Sequence, residues 1–211
     1  MISIAIETST PQASLCLAED GVILSTASWS TERNHDAHLF PALQQVMDIL
    51  GNRKPDWVLV GSGPGSYGGV RVALAAAVGI CTVTGARTVA ICSWEALAQG
   101  EASIVSDARR GGWTLRRPDA SISVISSDEL RQLAADAHTL LYSTESAEKM
   151  QQVGVCVDKS GLIPTAEQLV RVWHSLNAEE REARASLPAE PIYVRPPHIT
   201  EAKRKPWEIR P

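Results

Sequence analysis

The stretch Asp56-Trp57-Val58-Leu59-Val60-Gly61-Ser62-Gly63-Pro64-Gly65-Ser66-Tyr67-Gly68-Gly69-Val70-Arg71 decides the fold class. Asp56 to Val60 is an apolar run of strand length. Gly63 to Gly69 follows as a glycine-rich loop stiffened by Pro64, with freedom for positive φ and close backbone approach. From Val70 to Val83 small and apolar residues predict a helix, and Thr88 to Cys92 a further strand. Strand, helix and strand in that order imply a crossover, hence parallel pairing with the helix on one face of the sheet.

Upstream, Ile2, Ile4 and Ile6 alternate with small or polar residues, Leu15 and Leu17 repeat the pattern within Ser14 to Glu19, and Gly21 turns into Val22 to Trp29. Such short connections predict three antiparallel strands. Leu39, Leu43, Val46 and Leu50 recur at helical spacing and Gly51 closes the helix. Ser93 can cap another helix beginning at Trp94. The fold class is therefore α/β, a mixed five-stranded sheet with helices. That order is the building block of the actin-like ATPase (ASKHA, ribonuclease H-like) architecture, a step taken by fold analogy.

Downstream, strands are expected over Ala102 to Ala108, from Trp113, over Ile122 to Ile125 and over Thr139 to Tyr142, with a turn at Arg109 to Gly112. Ser127-Asp128-Glu129 opens a helix to Ala137, Thr165 caps one running through Trp173, and residues 178–190 read as an exposed helix or linker. The proline-rich stretch from Pro196 reads as extended. The expected division is an N-terminal domain, 1–100, and a smaller, degenerate C-terminal domain, 101–211.

A formal charge of −4 argues against autonomous nucleic-acid binding, which needs a basic surface. Cys16, Cys81, Cys92 and Cys156 show no metal-ligand spacing and read as buried hydrophobes of a reducing compartment. The sequence opens directly into a strand without a basic, apolar leader, and Val70 to Thr84 is short for a membrane span. A cytoplasmic location, away from membranes, is the expectation.

Several motifs bear on chemistry. Backbone N–H groups at the helix start after Gly65 and Ser66 can receive a phosphate or carboxylate, although a tight turn explains the glycines equally. Arg71 opposes the helix dipole, so an acidic group is expected beside it. His35 and His38 are three apart and could face one way, but no third ligand accompanies them, and capping or surface roles are favoured. HExxH, GxSxG and Walker A patterns are absent. The helix of Ala73, Ala75, Ala76, Ala77 and Gly79 permits close helix–helix approach. The preceding helix carries a second apolar stripe, Phe40 and Met47, and a surplus apolar face points to a partner.

Five segments together carry a family resemblance: Glu7-Thr8-Ser9-Thr10, His35 with Pro41, Gly63 to Arg71, Asp107-Ala108-Arg109-Arg110-Gly111, and Pro191-Ile192-Tyr193-Val194-Arg195. The chain resembles the TsaB (YeaZ) family, closely over residues 1 to 112, with Gly63 to Arg71 resembling its GPGSFTGVR-type signature. Glu7 stands where the family usually has Asp, Gly68 where it has Thr, and Gly112 where it has Glu.

The resemblance implies a non-catalytic subunit that binds TsaD, the transferase of N6-threonylcarbamoyladenosine synthesis next to the tRNA anticodon. TsaE joins in a larger complex, a homodimer forms when the chain is alone, and tRNA is met only indirectly. It also implies an interface on the two N-terminal helices, assigned to Phe40, Leu43, Met47, Val72, Ala76 and Ile80. No catalytic residue, metal or required cofactor is expected. Weak or shared ATP/ADP binding, or contact with an acidic partner, is assigned to Glu7, Ser9, Gly65, Ser66, Arg71, Arg109 and Arg110. Ordinary turns explain Ser9, Arg109 and Arg110 equally well. Two further readings stay open: an actin-like ATPase or M22-type peptidase, and a diverged homodimer with a changed role.

Overall fold

The computed structural model describes residues 1–31, 34–98 and 101–194. The first sheet is built from β1 (Ile2–Glu7), β2 (Gln12–Glu19), β3 (Val22–Ser30), β4 (Trp57–Gly61) and β5 (Arg87–Ile91), ordered β3-β2-β1-β4-β5. β1–β2 and β2–β3 are antiparallel; β1–β4 and β4–β5 are parallel, with Ile4 opposite Val58 and Leu59 opposite Val89. The helices α1 (His35–Leu50) and α2 (Tyr67–Thr84) make the two crossovers.

Strand alternation assigns the faces. Ile4, Ile6, Leu15, Leu17, Val58 and Val60 point to the α1–α2 side, where Leu39, Leu43, Val46, Ala73 and Ala77 meet them. Ala5, Cys16, Ala18, Leu59 and Val89 point the other way. Gly51, at φ 59°, ends α1 by donating its N–H to the Met47 carbonyl, as its position in the sequence implied. α2 starts at Tyr67, one turn earlier than Val70, because the Ser66 hydroxyl accepts from the Gly69 N–H and caps the helix there. The helix expected from Trp94 is reduced to α3 (Glu95–Ala98).

The second sheet comprises β6 (Ser103–Asp107), β7 (Gly112–Arg116), β8 (Ile122–Ser126) and β9 (Leu141–Ser143), ordered β8-β7-β6-β9, with β6–β9 parallel. This repeats the winding of the first sheet without its fifth strand. α4 (Ser127–Ala135) opens on a capping box between Ser126 and Glu129, and α5 (Ala147–Gln152) follows β9. Together the two sheets make the actin-like ATPase, ribonuclease H-like arrangement.

α6 (Ala166–Ser175) and α7 (Ala178–Ala185) return to the first sheet. Leu169, Val170 and Trp173 bury themselves against Ala5, Cys16 and Leu59. The Ala166 N–H donates to Ser14 Oγ at 2.8 Å, and Arg184 forks onto the Glu95 carboxylate at 3.1 and 3.0 Å. The α6–α7 segment thus covers the first sheet's second face. Cys156 is exposed, unlike the buried thiol expected. Arg195 and the stretch from Pro196, expected to be extended, lie outside the described residues.

Candidate functional site

Two places gather the candidate residues. The first is the junction where the β1–β2 connection meets the glycine loop. Glu7, at the end of β1, is fully buried, as is Thr8, and Ser9 nearly so. Glu7 Oε1 accepts from the Ser9 N–H at 2.7 Å; Glu7 Oε2 and Ser9 Oγ have no hydrogen-bond partner among the described residues. Burial pushes the Glu7 carboxyl above its ordinary value, opposed by the neighbouring Ser9 and Ser93 and by the Ser9 and Thr8 backbone.

The glycines serve this packing. A Cβ on Gly61 would overlap Glu7 Oε2, one on Gly65 the Ser9 carbonyl, and one on Gly69 the Thr8 carbonyl. The Ser66 N–H donates to the Ser9 carbonyl at 2.6 Å, and Thr8 Oγ1 donates to the Gly69 carbonyl at 2.8 Å. Backbone therefore lies against backbone, in the position where the loop glycines were read as room for a phosphate. The Arg71 guanidinium donates to the Tyr67 hydroxyl at 3.0 Å and lies over that ring at 5.1 Å.

A strap that sequence reading did not place crosses this loop. The Ile192 N–H donates to the Ser62 carbonyl at 2.8 Å, and Tyr193 stacks on Tyr67 with ring centroids 4.9 Å apart. The Pro191 to Tyr193 motif was visible in the sequence; its docking partners, Ser62 130 residues before Ile192 and Tyr67 126 residues before Tyr193, carried no local signal. Arg109 and Arg110 sit elsewhere, exposed at the tip of the β6–β7 hairpin in the second sheet. Both have positive φ, 62° and 54°, with the Arg109 N–H held on Asp107 Oδ1 at 2.6 Å. Behind the tip, Lys149 Nζ bridges Asp107 at 2.7 Å and Glu145 at 2.9 Å, holding both carboxyls below their usual values.

The second place is a groove of about 500 Å³ between α1 and α2. All six residues assigned to an interface, Phe40, Leu43, Met47, Val72, Ala76 and Ile80, line it. Leu43 and Ala76 are its buried floor, each 8% exposed, while Phe40 stands on the rim at 59%. Ala75 and Gly79, read in the sequence as permitting close helix approach, also line it; so do Val83 and Asp36, its acidic group, which the sequence did not single out. α2 is the one described helix long and apolar enough to cross a membrane, and it packs on β4 and β5 of the first sheet.

His35 and His38 diverge: His35 is buried with no partner for Nδ1 among the described residues, whereas exposed His38 stacks beside Trp29 at 6.4 Å. Among the described residues no group of three His, Cys, Asp or Glu side chains could hold a metal ion.

The family model of TsaD, tRNA N6-adenosine threonylcarbamoyltransferase, matches residues 7–112, half of the chain, from the end of β1 through the glycine loop to the β6–β7 hairpin. YeaZ from Pseudomonas aeruginosa is 21% identical and superposes with a TM-score of 0.69, over 91% of this chain and 99% of that one. A second Pseudomonas aeruginosa structure, of a protein with similarity to peptidase YEAZ, is also 21% identical with a TM-score of 0.68, over 92% and 99%. No curated protein sequence matches the chain. By the match from Glu7 to Gly112, on a YeaZ-like fold, the chain belongs to the TsaD family of tRNA N6-adenosine threonylcarbamoyltransferases.

Proposed function

We propose that the chain is a non-catalytic, cytoplasmic subunit of the tRNA threonylcarbamoyladenosine machinery, docking on the transferase TsaD through the α1–α2 groove. The observation that carries this reading is the groove itself: an exposed, almost wholly apolar trough lined by all six residues assigned to an interface. The junction at Glu7 supports the absence of independent catalysis. Its carboxylate is buried behind the Ser9 backbone, and the glycine loop is packed on the β1–β2 connection rather than opened toward a ligand. ATP or ADP, when engaged, is held weakly or shared with a partner beside Ser66 and Arg71, and Arg109 and Arg110, on the other sheet, serve an acidic partner. TsaE joins the larger assembly, and tRNA is met through TsaD.

Light scattering on a size-exclusion column tests the reading, with the chain alone and mixed with TsaD from the same organism. A mixed complex is expected, lost on Phe40→Asp and on Ile80→Asp while the variants keep their far-UV spectrum. A stable homodimer that ignores TsaD would overturn it in favour of a diverged homodimer. Substantial ATP or peptide turnover by the purified chain, abolished by Glu7→Ala, would instead make it an enzyme.

A further inference from the structure

Arg116, the last residue of β7, is only 6% exposed, and no carboxylate lies within ion-pair distance of it among the described residues. Its Nε meets no acceptor there, and Nη1 reaches the Arg117 carbonyl at a long 3.4 Å. A guanidinium keeps its proton inside a protein, so its burial is not relieved by neutralisation as it is for a lysine or a carboxyl. A charge buried in this way calls for an opposite one.

The described surroundings supply none. Strand alternation sends Trp113 and Leu115 to the α4–α5 side of the second sheet, and Thr114 and Arg116 to the other. Across the strands Arg116 stands opposite Ile104 and Ile122. Ile104 belongs with Trp94 and Tyr142 to the apolar cluster that joins the two sheets. Cys92 packs on the same cluster, within range of the Arg116 charge, but burial pushes its thiol up and keeps it neutral. Two acidic groups of this neighbourhood are committed elsewhere. Glu95 takes the Arg184 fork at 3.1 and 3.0 Å, and Asp119, exposed in the β7–β8 turn, accepts from the Ser121 N–H at 2.9 Å.

The edge of the guanidinium formed by Nε and Nη2 is the one that meets two oxygens of a carboxylate or phosphate side by side. Thr114, also buried, brings a hydroxyl to the same face two residues earlier. We propose that Arg116 is the receptor of a compact oxyanion, a phosphate or a carboxylate, at the seam between the two sheets. The site lies on the other sheet from the glycine loop. It is also separate from the β6–β7 tip, since Arg116 is four residues, about 13 Å, along β7 from Gly112. It does not depend on docking at the α1–α2 groove. An anion held there neutralises a charge that the fold otherwise buries alone, so binding and stability are linked.

Equilibrium dialysis of the intact chain against radiolabelled inorganic phosphate, and separately against radiolabelled acetate, tests this at constant ionic strength. Saturable, equimolar binding is expected, weakened about tenfold or more by Arg116→Met. Binding of phosphate alone assigns a phosphate site, of acetate alone a carboxylate site, and of both a site open to either. Retention of neither, or retention that Arg116→Met leaves unchanged, overturns the proposal. Thermal unfolding shows that the variant folds and supplies a second reading. In buffer free of both anions Arg116→Met should melt no lower than the parent, because an unpaired buried charge is replaced by an apolar chain of similar volume. The anion that binds should then raise the melting temperature of the parent alone. A Met variant that melts lower in anion-free buffer overturns the proposal, since the protein itself would then be satisfying the guanidinium.

Discussion

Replacing Trp173 measures how firmly the end of the described chain clamps the first sheet. The ring is fully buried against Trp57, centroids 4.8 Å apart, in a cluster with Ala5, Cys16, Leu59, Leu169 and Val170. Arg181 lies over it at 5.8 Å and donates from Nε to the Trp173 carbonyl at 3.0 Å. Truncating a buried aromatic to Ala typically costs about 3–5 kcal/mol. Trp173 Nε1, however, is buried without an acceptor among the described residues, and removing an unsatisfied donor returns about 1–3 kcal/mol. The expected net loss for Trp173→Ala is therefore about 2 kcal/mol, or about 4–8 °C in Tm for a chain of this length. Trp173→Phe keeps most of the packing and also deletes the donor, so it should stay within about 1 kcal/mol of the parent. Urea unfolding of both variants, followed by far-UV circular dichroism, reads the difference. If Phe loses as much as Ala, the orphaned-donor argument is wrong; if Ala is silent, α6 does not hold the sheet. Because Trp173 packs on the face opposite the groove, neither variant should alter partner affinity once folded.

Two further substitutions test the junction. Gly69→Ala places a methyl on the Thr8 carbonyl, a backbone atom that cannot swing aside, and should cost about 1–3 kcal/mol. Gly68→Ala, with nothing within 4 Å, should gain about 0.5–1 kcal/mol from helix propensity, and equal urea midpoints for the pair would refute the close-approach account. Glu7→Gln addresses the buried carboxyl. Burial raises the folded carboxyl above its ordinary value, so the protonated form's contribution is fully present below the ordinary carboxylate range and lost as pH rises through the raised value. The Gln variant should therefore gain on the parent as pH rises from the ordinary carboxylate range, and a pH-independent difference in unfolding free energy would contradict the assignment.

The first sheet was legible because its signals are local. Ile2, Ile4 and Ile6 announce alternate faces, Gly51 ends α1 where the apolar period ends, and the glycine loop marks the strand-to-helix turn. The apolar lining of the groove was legible for the same reason: Phe40, Leu43 and Met47, and Val72, Ala76 and Ile80, lie at helical spacing on two elements that a crossover sheet brings side by side. What stayed hidden depends on distant partners. The apolar face of Leu169, Val170 and Trp173 predicts burial but not against which sheet. Nothing around Arg71 says that the Tyr67 hydroxyl will receive it. Tyr193 stacks on a ring 126 positions earlier, and the role of Gly69 depends on the Thr8 carbonyl. α5 is six residues long, too short for an apolar period to register.

The second sheet repeats the winding of the first, yet its crossover helices are stunted: α4 and α5 have nine and six residues, against sixteen and eighteen in α1 and α2. Two such stubs, of under three and under two turns, cannot frame a second trough. Among the described residues, α4 and α5 therefore give the second sheet no counterpart of the α1–α2 trough. A molecule bearing two equivalent troughs could string its partners into an open filament, whereas one trough caps growth at a closed pair. If the groove docks a partner as proposed, degeneration of the repeat would hold that contact to a closed pair.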